Sequence, residues 1–190
     1  MIDDFESAET GSSAGWEQEG GWQYDNAVGI SVAEFQGSKM LKADLDYTGC
    51  EGFTWSEAKI KKSFAEGLDV SAYNVLSYEM IYPEAFDGSF KAKIFAKNGA
   101  DDVEIINKEA KIETSDLGDG YKKAVVTVKF SPNTAKITDL MIGTVGVSTA
   151  FLGSVYLDNL TLSQYNAAGD YTEITETAGC LLYTSPSPRD

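Results

Sequence analysis

Histidine is absent from all 190 residues. Its absence excludes Ser-His-Asp and Cys-His triads, the usual zinc sites and the commonest general base. Cysteine occurs only at Cys50 and Cys180, so one bridge at most is available. Basic residues are scarce: 15 Lys and Arg against 30 Asp and Glu give a formal net charge of −15. So acidic a chain is unsuited to nucleic acid or to an anionic membrane, both of which call for clustered Lys and Arg. It suits a neutral or cationic ligand. No apolar run approaches the length of a membrane span. No secretory leader is legible, because Met1 sits directly before what reads as a first strand. Met1 reads equally well as an internal methionine of a longer secreted protein. Carboxylate-only chemistry, as in glycosidases, stays formally open, but no acid pair stands in a recognisable catalytic context.

What the chain does have is glycine and tyrosine (18 and 10 residues) and short alternating runs. Strands are predicted at 2–7, 29–34, 39–47, 53–62, 74–82, 88–97, 102–107, 111–115, 121–130, 137–146 and 153–164. Leu41, Ala43, Leu45 and Tyr47 face one way, with Lys42, Asp44 and Asp46 opposite. Phe90, Ala92, Ile94 and Ala96 alternate with Lys91, Lys93 and Lys97, and Ala124, Val126, Val128 and Phe130 repeat the pattern. Such half-wet strands belong in antiparallel sheets. Turn signals punctuate them at 49–52, 86–88, 98–99, 118–120 and 131–133. No helix-period stretch is convincing, although 64–73 has room for one helical turn. The expected fold is all-β, an antiparallel β-sandwich of the jelly-roll kind, over residues 1–164.

Beyond Leu162 the alternation dissolves into small and polar residues. Residues 165–179 read as a linker, which implies a neighbouring, covalently attached domain. The ending "CLLYTSPSPRD" (180–190) behaves differently again. Back-translated, it resembles read-through into a transposon-based sequencing adapter, so it is excluded from fold reasoning. Cys50 then stands without a partner.

Two features point to function. In "FTWSEAKI" (53–60), Ala58 and Ile60 share a parity with Thr54 and Ser56, while Trp55 shares the other with Glu57, Lys59 and Lys61. The largest apolar side chain is thus placed on the charged face. A loop covering the ring would explain this, but Trp16 and Trp22 also avoid obvious core positions, lying in the Gly-rich stretch "SSAGWEQEGGWQYD". Exposed indoles stack on the C–H faces of sugar rings, and flanking polar groups such as Glu57 and Lys59 bond the hydroxyls. The second feature is Asp158, which shares the apolar parity of Tyr156, Leu160 and Leu162 in "VYLDNLTL". A carboxylate facing a core is costly unless it is paired or metal-bound. Asp3, Asp4 and Glu6 offer further hard oxygen ligands, which suit Ca²⁺ if the first and last strands pair. The alternative is an Asp bonded to backbone N–H groups in a bulge.

Together, "IDDFES" (2–7) before a Trp-containing loop, "WSEAKI" (55–60), "LSYEMIYPEAFDG" (76–88), "ITDLMIGTVG" (137–146) and "GSVYLDNLTL" (153–162) resemble carbohydrate-binding module family 27 from Ile2 to Leu162. This is the mannan-binding family attached to β-mannanases. The resemblance implies a galactose-binding-like jelly roll that binds β-1,4-mannan on a concave face and carries no catalysis. It implies stacking by Trp55 and by Trp22 or Trp16, and a structural Ca²⁺ held by Asp158 with Glu6 or Asp4. The family's further aromatic, in the loop after Ala96, has no counterpart in "KNGADD" (97–102). The expected setting is a monomeric module, extracellular or on the cell surface, linked to a mannanase, with no nucleic-acid or membrane partner. The alternatives are a module for another β-glycan (cellulose, β-glucan or xylan) and a structural domain packed on its catalytic neighbour.

Overall fold

The strand signals fold much as their alternation dictates. The computed structural model describes residues 1–53, 55–98, 101–104, 106–130, 136–165 and 171–173, with side chains for those outside 93–98, 101–109, 165 and 171–173. The strands are β1 (Trp16–Glu19), β2 (Gly29–Phe35), β3 (Ser38–Asp46), β4 (Glu57–Leu68), β5 (Val75–Pro83), β6 (Ser89–Asn98), β7 (Asp101–Glu104), β8 (Ile106–Gly118), β9 (Tyr121–Phe130), β10 (Ile137–Val145), β11 (Leu152–Tyr165) and β12 (Tyr171–Glu173). No described residue is helical.

Two antiparallel sheets form a sandwich. One runs β1-β4-β10-β6-β7; the other runs β2-β3-β11-β5-β9-β8, with β12 beside β11. Inner faces are built from cross-strand rows of apolar residues. Val32, Leu41, Leu157, Met80 and Ala124 lie in register across the larger sheet, all nearly inaccessible. Ile60, Ile142 and Ala92 form the corresponding row of the smaller sheet. Burying rows of this kind is the main term favouring the fold, at about 25 cal/mol per Å² of apolar surface. Tyr47 crosses the sandwich and shares a 2.6 Å hydrogen bond with the Thr144 hydroxyl, so its buried oxygen is satisfied.

Some elements depart from the sequence reading. Residues 2–7 form only an isolated antiparallel bridge, Asp3 with Leu160, rather than a full strand. Phe5 there is buried and left-handed, at φ 58°. The Gly-rich stretch before Trp22, expected as loop, contains the short strand β1, and β4 continues to Leu68 where a helical turn had room. Within the predicted linker, 171–173 pair with β11 as β12; the rest of 166–179 and all of 180–190 lie outside the described residues.

The mixed parity of "VYLDNLTL" has a definite cause. Between Asp158 and Thr161 the register of β11 against β5 slips: three steps on β11 match two on β5, from Glu79 to Ser77. A bulge of this type reverses which side chains face inward. Val155 and Leu157 are inward before it, Leu160 and Leu162 after it. Asp158 therefore sits with Tyr156 on the outer face, not toward the core. It is nonetheless only 4% exposed, and the N-terminal segment bonds to β11 beside it through Ile2 N–H to Leu160 O (2.7 Å) and Leu160 N–H to Asp3 O (2.9 Å).

Candidate functional site

The smaller sheet has a dry face and an outer face, and register decides what the outer one presents. Trp55 lies two residues before β4, and Trp22 lies in the connection after β1. The Glu57 N–H donates to the Trp22 carbonyl (2.8 Å), which brings both tryptophans to the same end of this sheet. Trp22 is 65% and Trp55 46% exposed; Phe53, at 41%, is exposed nearby in sequence. Their loops are not loose. Tyr24 is buried against Tyr47 with ring centroids 4.6 Å apart. The buried Cys50 thiol donates to the Gln23 carbonyl at 3.4 Å, and burial pushes that thiol above its ordinary range.

Two glycines make room for this end of the sheet. A Cβ on Gly21 would lie 1.8 Å from the Glu57 carbonyl oxygen, so only glycine lets the Trp22 loop approach β4 so closely. Gly146 adopts φ +70°, and a Cβ there would lie 3.4 Å from the Trp55 ring. The Gly146 N–H also donates to the Ser56 carbonyl (2.9 Å). The indole of Trp55 thus rests beside a glycine whose backbone is tied to the next residue, with its own ring half open to solvent.

Beyond the tryptophans the outer face is polar. Lys59, Gly143 and Lys91 form one cross-strand row on β4, β10 and β6. The next row joins Glu17, Lys61 and Met141, where Lys61 pairs with Glu17 (3.3 Å) and Glu19 (2.9 Å). Glu57 is only 5% exposed. One carboxylate oxygen takes Lys59 at 3.2 Å, and the other is ion-paired with Lys91. Burial alone would raise the Glu57 carboxyl, but its hydrogen bonds and ion pairs with Lys91 and Lys59 outweigh burial and hold it below the usual range. Lys91 is a member of this face that sequence reasoning missed. Its only signal was a wet-face position in an alternating strand, which most surface lysines share.

Trp16, expected as a candidate stacking residue, is not on this face. It is 2% exposed, because the first position of β1 points inward, and Lys62 lies 5.9 Å from its ring centroid. It is a core residue and offers no platform to a sugar.

The acids assigned to calcium converge without forming a closed cage. Asp158 opposes Glu79 across β11 and β5, and its Oδ1 accepts the Asn159 N–H at 2.8 Å, as in the bulge alternative. Asn159 is left-handed at φ 50°. Burial most of all, opposed by that bond and reinforced by the charges of Glu79, Glu6 and Asp4, pushes the Asp158 carboxyl up to about 6. The Oε1 of Glu6 accepts from the Ser38 hydroxyl and the Lys39 N–H. The Oδ1 of Asp4 accepts the Glu6 N–H at 3.3 Å. Among the described residues no three His, Cys, Asp or Glu side chains are grouped to hold a metal ion. The donor set is all oxygen and anionic, which suits calcium rather than zinc.

Residues 1–165 match the family model described as Carbohydrate binding module 27. No curated protein sequence matches the chain significantly. Among solved structures, the fold resembles TmCBM27, a carbohydrate-binding module studied for specific mannan recognition, with TM-score 0.58 and 22% identity over 84% of this chain and 93% of that one. It also resembles the Caldicellulosiruptor saccharolyticus module CBM27-1, solved with mannohexaose, with TM-score 0.53 and 18% identity over 83% and 92%. A family 28 module specific for non-crystalline cellulose gives TM-score 0.56 and 14% identity over 84% and 91%. At these identities the likeness establishes a shared fold.

Proposed function

This chain belongs to the carbohydrate binding module 27 family, a family of non-catalytic modules, and on that premise we propose that it binds β-1,4-mannan along the outer face of its smaller sheet. The observation carrying this reading is the pair of exposed indoles, Trp22 and Trp55, at one end of a polar sheet face. Flat aromatic rings cover the C–H faces of pyranose units, and polar side chains take the hydroxyls. The acidic chain, at −15, suits a neutral polysaccharide. Galactomannan and glucomannan share that neutrality and backbone shape.

The same reading extends to its setting. The module tethers an attached mannanase to its substrate outside the cell and raises the local concentration of mannan around it. It also holds a structural Ca²⁺, with Asp158 as the central ligand and Glu6 or Asp4 from the N-terminal segment. The support for the ion is electrostatic. The charges of Glu79, Glu6 and Asp4 add to burial in raising the Asp158 carboxyl, and a divalent cation would relieve that strain on Asp158.

Native gel electrophoresis through soluble galactomannan tests the mannan reading, with hydroxyethylcellulose as the comparator. Retardation by galactomannan alone is expected. Mobility unchanged in both polymers, from folded protein with calcium present, would remove mannan binding. Retardation by the cellulose derivative alone would keep the module and replace its substrate.

A further inference from the structure

We infer that Lys59 and Lys91 form a paired hydrogen-bond donor site on the outer face of the smaller sheet, with Gly143 as its base and Glu57 as its positioning residue, and that this pair sets the preference for mannan over cellulose. The inference rests on the mannan reading above and adds to it the residues that discriminate between sugars.

The geometry begins with register. Lys59, Gly143 and Lys91 face one another across three adjacent strands. The middle residue has no side chain, so the two lysine stems lean over it. A Cβ built on Gly143 would lie 3.3 Å from Lys59 Cγ and 3.4 Å from Lys91 Cγ. Surface lysines are commonly extended into water with their ammonium groups free. Here the Lys59 side chain is 16% and the Lys91 side chain 28% exposed. Glu57 gives one oxygen to each ammonium, and this holds the pair down on the sheet.

The consequence is chemical. An ammonium group has three N–H donors and no acceptor. One from each lysine is taken by Glu57, which leaves donors on both for a ligand laid along the sheet. The Glu57 carboxylate is satisfied on both oxygens and nearly inaccessible, so it is not itself a free acceptor for sugar hydroxyls. The neighbouring cation Lys61 is already paired with Glu17 and Glu19. The site thus offers donors to oxygen lone pairs, and these donors are fixed in place by a buried partner rather than gathered on binding. Mannose and glucose units differ in whether the C2 hydroxyl is axial or equatorial. A stacking platform grips either sugar by its C–H face, whereas donors at a fixed position distinguish where that oxygen lies.

The test is calorimetric titration of the full chain with mannohexaose and cellohexaose, for the parent and for Lys91→Met, Gly143→Ala, Glu57→Gln and Trp55→Ala. Lys91→Met keeps the aliphatic stem, and Gly143→Ala substitutes a residue that strands normally tolerate better than glycine. Each of the first three is expected to weaken mannohexaose binding about tenfold and to narrow the mannohexaose-to-cellohexaose ratio, with Lys91→Arg restoring part of both. The narrowed ratio is a readout that simple loosening of the fold would not produce, and thermal unfolding of each variant confirms that it is folded. Parent-like affinity and ratio in Lys91→Met and Gly143→Ala, while Trp55→Ala still loses binding, would overturn the inference and leave the mannan reading standing. A parent chain that ignores mannohexaose would overturn both.

Discussion

Gly21→Ala isolates the contact that seats Trp22. A Cβ at this position would fall 1.8 Å from the Glu57 carbonyl oxygen and 2.9 Å from its carbonyl carbon. Favourable contacts between carbon atoms lie at about 3.5–4.0 Å, so the loop must retreat by roughly 1.5 Å. The obstacle is the backbone of a paired strand, which cannot swing aside as a flexible side chain would. Retreat breaks the 2.8 Å bond from Glu57 N–H to Trp22 O, a loss of about 1 kcal/mol. It also displaces the indole. A sugar covering about 70 Å² of indole face contributes about 2 kcal/mol at 25 cal/mol per Å², which is about thirtyfold in affinity. Gly20→Ala is the matched control: nothing lies within 4 Å of a Cβ there, and the change in unfolded-chain entropy is the same. Thermal unfolding and titration with mannohexaose are the assays. Gly21→Ala is expected to melt a few degrees lower and to bind at least tenfold more weakly, with Gly20→Ala like the parent on both counts. Equal behaviour of the two variants would refute the claim that this close approach places Trp22.

Two further predictions follow from buried groups. Trp16→Ala is expected to cost about 3–5 kcal/mol of stability by opening a cavity, while Trp16→Phe retains the fold and binds mannohexaose like the parent; weaker binding by the folded Phe variant would return Trp16 to the binding face. Asp158, raised to about 6 from 3.8, takes up its proton more readily in the folded than in the unfolded chain. In EDTA, stability is therefore expected to fall as pH rises from about 4 to about 6, by an upper limit of about 3 kcal/mol before solvent screening is allowed for, and calcium is expected to reverse that fall at pH 7. A melting temperature indifferent to calcium at pH 7 would remove the ion from the account.

The jelly-roll sandwich was legible because most strands alternate cleanly, and alternation names the buried face without knowledge of partners. Three things were hidden, each for a physical reason. In β11 the bulge adds one residue at Asp158–Thr161, so a single parity fits neither half of the strand, and Asp158 was read as facing the core. Trp16 sits in a four-residue strand flanked by glycines, too short to reveal its phase. Lys91 gains its significance only from Gly143 and Glu57, which lie on other strands and meet it through register. Trp55, by contrast, was marked in advance, since its parity with Glu57 and Lys59 placed a large ring among charges. The proximity of Trp22 to it depends on the backbone bond to Glu57, a tertiary contact that no local pattern encodes.

The most direct test of the central claim is calorimetric titration of the parent chain and its Trp55→Ala variant with mannohexaose, in the presence of calcium. Heat of binding is expected for the parent, stronger than with cellohexaose, and is expected to be lost in a Trp55→Ala protein that remains folded. Parent and variant that bind equally well, or a parent that gives no heat with mannohexaose, would contradict that claim.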